Sequence, residues 1–199
     1  VSNLSTVRRQ REVQHREATL ALANFDLNKA IKCYRKNIRF SQDIDSAIKQ
    51  LANDYITDYV SGNSSVVITY KNENVNKLNE SLREKLLAAG FIHGKSEVLA
   101  VYNGSIFKTK NIKLCKGDQI VFNKNINFLD ICNGDVAIIK GFSKKEGQLV
   151  LHSKVLRGKK SFDVEVWTKY NKGIDYGYAL TVHKSQGRTY DLVKVLLDE

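Results

Sequence analysis

Thr181, His183, Lys184, Ser185, Gln186 and Gly187 set hydroxyl, imidazole, ammonium and carboxamide groups beside a glycine, directly after the short apolar run Tyr178-Ala-Leu180. Side chains of these types hydrogen-bond to or ion-pair with phosphate oxygens. A strand that runs straight into a polar, glycine-marked turn is a junction built to hold phosphates.

The charge of the chain fits that chemistry. Its 199 residues carry a formal net charge of +11, with a pI of about 9.5. A basic surface of this size attracts polyanions over roughly a Debye length, so nucleic acid is the leading partner. The basic residues recur in groups: Arg8, Arg9 and Arg11; Lys32, Arg35, Lys36 and Arg39; Lys108, Lys110, Lys113 and Lys116; Arg157, Lys159 and Lys160. Any one group is as readily a solvated face as a binding footprint, and only clustering on one surface separates the two. Cys33, Cys115 and Cys132 are odd in number and far apart, which indicates neither a disulfide framework nor a metal site. No membrane-length apolar run and no signal-peptide layout is present, so the expected location is cytoplasmic.

The elements that must position the polar turn are legible from periodicity. Residues 5 to 60 read as three helical pieces, with Asp26 capping Leu27 to Asn37 and Ser41 preceding an amphipathic run to Val60 whose stripe is Ile44, Ile48, Leu51, Tyr55, Ile56 and Tyr59. The β-branched run from Ser65 to Tyr70 reads as a buried strand. Asn72 is expected to cap the next helix, which has its stripe at Val75, Leu78, Leu82 and Leu86 and Gly90 at its C′ position. From about residue 97 to Trp167 the pattern becomes period-two, punctuated by Asn103-Gly104, Lys116-Gly117-Asp118, Asn133-Gly134 and Glu146-Gly147. That predicts a small antiparallel barrel inserted in an α/β domain, because residues 177 to 182 and 192 to 197 return to core-strand character.

Four stretches, in order, resemble the second motor domain of RecD-like superfamily-1 DNA helicases, most closely the helicase part of conjugative relaxase/helicases. They are Val7-Arg-Arg-Gln10 with Arg16-Glu-Ala18; Val66 to Asn79 with Leu82-Arg83; Lys116 to Phe122 with Asn125 and Asn133 to Ile139; and Tyr178 to Asp191. The resemblance implies a partial RecA-like α/β motor domain, residues 1–96 and 171–199, interrupted at 97–170 by an SH3-like β-barrel. It implies that Arg9 reaches the ATP γ-phosphate held by the first motor domain, with Gln10, Gln186 and Gly187 on the nucleotide side. It also implies that Thr69, Thr181, His183, Lys184 and Ser185 contact single-stranded DNA through phosphates, without reading sequence. Tyr70, Tyr102, Phe122, Tyr178 and Tyr190 are candidates either for base stacking or for core packing.

Two features imitate a complete ATPase. Gly94-Lys95-Ser96 lacks the glycine that a phosphate loop needs at position 89, which is Ala89, and it precedes a strand instead of opening a helix. Asp198-Glu199 then has no partner for Mg²⁺. ATP and Mg²⁺ are therefore expected only in a full-length motor, with none bound by this chain alone, and the expected partners are single-stranded DNA, the missing first motor domain and a relaxase domain. The absence of methionine suggests a fragment or truncated product, and removal of an initiator before Val1 would look the same. Arg188 stands where many such motors carry an acidic residue. The alternative is a non-catalytic basic module that docks DNA or protein, or a decayed remnant of such a helicase.

Overall fold

The computed structural model describes residues 12–103, 107–157, 160–186 and 190–197. The chain divides into two compact units, residues 1–42 and 43–199. In the first, α1 (Val13–Ala23) is followed by α2 (Leu27–Tyr34) and a single 3-10 turn, Arg35–Asn37. Asp26 caps α2 as its sequence position predicts, its carboxylate accepting the Lys29 N–H at 2.9 Å.

In the second unit, α3 (Ile44–Val60), β1 (Ser65–Thr69) and α4 (Asn72–Ala88) build the α/β part with β9 (Ala179–Thr181) and β10 (Leu192–Leu196). The cap of α3 is Asp43, not Ser41: its carboxylate accepts the Ser46 N–H at 2.7 Å, which holds the Asp43 carboxyl below its usual pKa. Asn72 is the first residue of α4 and not its cap; Lys71 stands at the cap position with no side-chain bond there. Gly90 adopts φ +78°, the left-handed C′ conformation anticipated for it.

The three strands pair in parallel in the order β10-β1-β9. Alternation along β1 sends Val67 to one face and Val66 to the other. Val67 meets Ile48, Ala52 and Tyr55 of α3 and Leu78, Leu82 and Leu86 of α4 in one core, whereas Val66 packs with Leu180, Val121 and Val136. Both faces of the central strand are covered, which is why it reads as a continuous β-branched run. The fold is mixed α/β and resembles a RecA-like domain, as expected.

The expected barrel does not form. Between α4 and β9 lie β2 (His93–Tyr102), β3 (Thr109–Lys116), β4 (Gln119–Phe122), β5 (Val136–Lys145), β6 (Gln148–Arg157), β7 (Lys160–Trp167) and β8 (Ile174–Tyr176). β2 and β3 make a separate two-stranded antiparallel sheet, and the other five form an open antiparallel sheet ordered β7-β6-β5-β4-β8. Neither sheet is closed. One apolar core unites Leu99, Val101, Ile112 and Leu114 of the hairpin with Ile120, Phe122, Ile139, Leu151 and Val166 of the larger sheet. Period-two patterning and turn glycines specify antiparallel strands and their hairpins, but closure also needs matched tilt and shear between the first and last strands, which no local pattern encodes.

Gly94-Lys95-Ser96 lies inside β2, exposed, so its amides do not converge on a phosphate. Among the described residues no helix is long and apolar enough to cross a membrane.

Candidate nucleic-acid interface

β1 and β9 end side by side, and the register pairs Thr69 with Thr181 at their carboxyl ends. Parallel α/β sheets present their ligand-binding edge there, because the loops that leave the strands diverge at that edge. Thr69 is 1% exposed, and its hydroxyl has no hydrogen-bond partner among the described residues. A buried hydroxyl without a partner costs roughly 1–3 kcal/mol, and at this depth a ligand oxygen would reach it only after the groups that cover it move aside.

Thr181 ends β9 and caps α5 (Val182–Ser185), its hydroxyl accepting the Lys184 N–H at 3.4 Å. The single helical turn carries His183 and Lys184 into solvent. Neighbouring protein nevertheless strips water from the Lys184 ammonium and lowers its pKa; Asp175 opposes that shift and Lys110 adds to it. Asp175 is itself paired with Lys110 at 2.9 Å, so the motif lysine shares a mixed-charge surface with β3 and β8. Ser185 is less available than its neighbours, since its hydroxyl donates to the Val182 carbonyl at 2.8 Å. Gln186 is exposed at the end of the turn. Arg9, Gln10 and Gly187 lie outside the described residues, as do Arg188, Asp198 and Glu199.

The strand leading into this turn is held by groups that sequence reading did not single out as a site. Asn79 of α4 accepts the backbone N–H groups of Tyr178 and Ala179 at 3.1 and 2.8 Å and donates to the Ala179 carbonyl at 3.2 Å. One turn on, Arg83 forms a two-pronged ion pair with the fully buried Asp118, at 2.8 and 3.0 Å. Asp118 also accepts the Tyr178 hydroxyl at 2.7 Å and the Cys115 N–H at 2.6 Å. The Arg83 guanidinium is consequently held well above its ordinary pKa, against the cost of its own desolvation. Polar residues at i and i+4 beside the apolar stripe of α4 were the available signal; Asp118 carried none, because aspartate after glycine reads as an ordinary turn residue.

The aromatic candidates divide. Phe122 and Tyr178 are buried and serve the core, whereas Tyr70 is 74% exposed immediately after Thr69. Tyr102 and Tyr190 are half-buried.

The chain is 32% identical, over 98% of its length, to the conjugal transfer protein TraA of Rhizobium radiobacter. The same identity and coverage relate it to TraA of Agrobacterium fabrum strain C58. It spans 17% of the length of each of these relatives. Its fold is similar to that of the Bacteroides Pif1 helicase crystallised with ADP-AlF3 and single-stranded DNA, with a TM-score of 0.55 at 16% identity over 98% of this chain and 45% of the helicase. Bacteroides Pif1 bound to single-stranded DNA gives 0.54 at 14% identity, over 96% and 44% respectively. No family model matches the chain. These comparisons make the chain a distant homologue of one segment of TraA, with the fold of part of a Pif1 helicase.

Proposed function

We propose that this chain is the second motor-domain segment of an ATP-dependent DNA helicase in a conjugative relaxase/helicase, and that it grips single-stranded DNA through phosphates. The observation that carries this reading is the pairing of Thr69 and Thr181 at the carboxyl edge of the parallel sheet, with the exposed His183 and Lys184 on the single helical turn that follows. Hydroxyl donors and an ammonium at that edge suit non-bridging phosphate oxygens and carry no base preference. Homology to TraA and the fold shared with Pif1 support the same assignment.

In this reading Arg9 and Gln10 face a nucleotide held by a separate first motor domain, with Gln186 and Gly187 beside it. That domain would bind ATP and Mg²⁺, whose chemistry is phosphoryl transfer to water. The described residues of this chain supply no phosphate loop, since its nearest imitation is part of β2. The chain's own contribution is to hold the strand and to present Arg9, whose fixed fork of donors suits charge on a transferring phosphoryl group.

Titration of a labelled single strand with the chain, alongside Lys184→Ala and Thr69→Val, tests the grip. Both variants should bind several-fold more weakly than the parent, and parental affinity in both would overturn the assignment. Restoring a first motor domain tests Arg9: Arg9→Ala should slow hydrolysis by roughly 10³-fold or more while single-strand affinity is unchanged.

A further inference from the structure

The turn between β3 and β4, with the first residue of β4, grips the chain just ahead of the polar turn. Gly177 and Gln119 bond reciprocally: the Gly177 N–H donates to the Gln119 carbonyl at 2.9 Å, and the Gln119 side-chain amide donates to the Gly177 carbonyl at 2.7 Å. The Gln119 N–H donates to the Tyr178 hydroxyl at 3.0 Å, and that hydroxyl donates in turn to Asp118 at 2.7 Å. Together these bonds close a clasp around Gly177 and Tyr178. Tyr178 is 1% exposed, and burial, with the Asp118 carboxylate beside it, pushes the phenol well up, so the hydroxyl stays protonated and keeps both bonds.

The clasp leaves no slack. A Cβ at Gly177 would stand 2.8 Å from the carbonyl carbon of Ile120, so the two backbones lie in direct contact and cannot slide past one another. Beyond Tyr178, β9 is only three residues long, all buried, and Thr181 at its end caps the helical turn that carries Lys184. An extended strand of this length has no hinge, so a shift at Tyr178 is passed on to the Thr181 hydroxyl and to the turn. From the other side Asn79 bonds the backbone of Tyr178 and Ala179, and Arg83 holds Asp118. Packing alone would need the ring of Tyr178 and not its hydroxyl, and it would need no side-chain bond from Gln119; the polar groups fix position where an apolar contact would only fill space.

We propose that Gln119 and Tyr178 are positioning residues: through this clasp the insertion fixes where Thr181 and Lys184 sit, so the strength of the grip on a single strand is set from the β3–β4 turn. The proposal rests on the function proposed above and adds to it a coupling between the insertion and the carboxyl edge of the parallel sheet. Both residues act through β9 and need no contact with the nucleic acid.

Two measurements on the whole chain test it: amide hydrogen exchange read by mass spectrometry without DNA, and anisotropy titration of a labelled single strand. Gln119→Met keeps the length of the side chain and removes its donor, and Tyr178→Phe keeps the ring and removes the hydroxyl. Both should speed exchange in the peptide covering residues 178–186 roughly fivefold or more and weaken single-strand binding roughly fivefold or more. Gln119 is half-buried, so its variant decides the matter even if Tyr178→Phe does not fold. Val155→Ala, in the core of the insertion and two strands from β4, is the structural control. It should lower the unfolding midpoint yet leave that peptide and the affinity as in the parent. Parental exchange in Gln119→Met overturns the proposal, and so do equal effects in Val155→Ala. Where Lys184→Ala weakens binding, faster exchange with parental affinity in Gln119→Met overturns the positioning role and leaves the grip standing. Parental affinity in Lys184→Ala removes the grip itself, and the positioning role with it.

Discussion

At Thr69 one hydroxyl separates the needs of the fold from those of a ligand. Its burial without a partner among the described residues means that Thr69→Val, which keeps the shape, should leave unfolding free energy unchanged or raise it by about 1 kcal/mol. Denaturant titration checks this, and a clear loss of stability would mean that the hydroxyl serves the fold. Lys184 offers a second residue-scale expectation. Its ammonium is disfavoured by desolvation, so the neutral form grows in at a lower pH than for a free lysine at about 10.4. Phosphate binding needs the charged form, so affinity should fall as pH rises through that depressed range. Lys184→Arg should remove this alkaline limb, because a guanidinium stays charged. An oligo(dA) strand, whose bases do not titrate there, makes the anisotropy measurement clean.

Among the elements, the insertion is tied to the α/β part through the turn between β3 and β4. Gly117 adopts φ +92°, and a Cβ there would stand 2.5 Å from the Phe91 carbonyl oxygen. Gly117→Ala should therefore destabilise by more than the roughly 1–2 kcal/mol of a left-handed backbone alone, because the obstructing atom is backbone and cannot swing aside. The next residue, Asp118, joins Arg83 of α4 to the Tyr178 hydroxyl just ahead of β9. Asp118→Ala leaves Arg83, with its side chain 14% exposed, without its counter-charge, and breaking such a pair costs roughly 3–5 kcal/mol. Chemical denaturation of the chain measures both. A loss below about 1 kcal/mol at Asp118 would show that the network contributes little to holding the strand that leads into the polar turn.

For the molecule taken whole, the net charge of +11 makes any nucleic-acid affinity strongly salt-dependent. Each phosphate neutralised on a single strand contributes about −0.7 to the slope of log K against log salt. Engagement of several phosphates should then lower affinity by about an order of magnitude or more between roughly 50 and 200 mM salt. A module that docks protein through apolar contacts would barely respond. Because the chain spans 17% of its TraA relatives, unwinding and hydrolysis belong to an assembly larger than this segment in the function proposed for it.

Helix stripes, the Asp26 cap, the Gly90 terminus and the glycine-marked hairpins all follow from residues a few positions apart, so they were legible in the chain itself. The same is true of the polar turn at Thr181 to Gln186, whose chemistry is concentrated in one stretch. Finer local choices were not: Asp43 displaced Ser41 as a cap because its carboxylate accepts two bonds from Ser46, and Asn72 was drawn into the helix that it was expected to precede. Only the tertiary structure decided that the insertion stays two open sheets, that Phe122 and Tyr178 face the core and not solvent, and that Thr69 meets Thr181. Strand closure, burial and register are set between segments a hundred residues or more apart, as in the contact of Asn79 with Ala179, and no local pattern contains them.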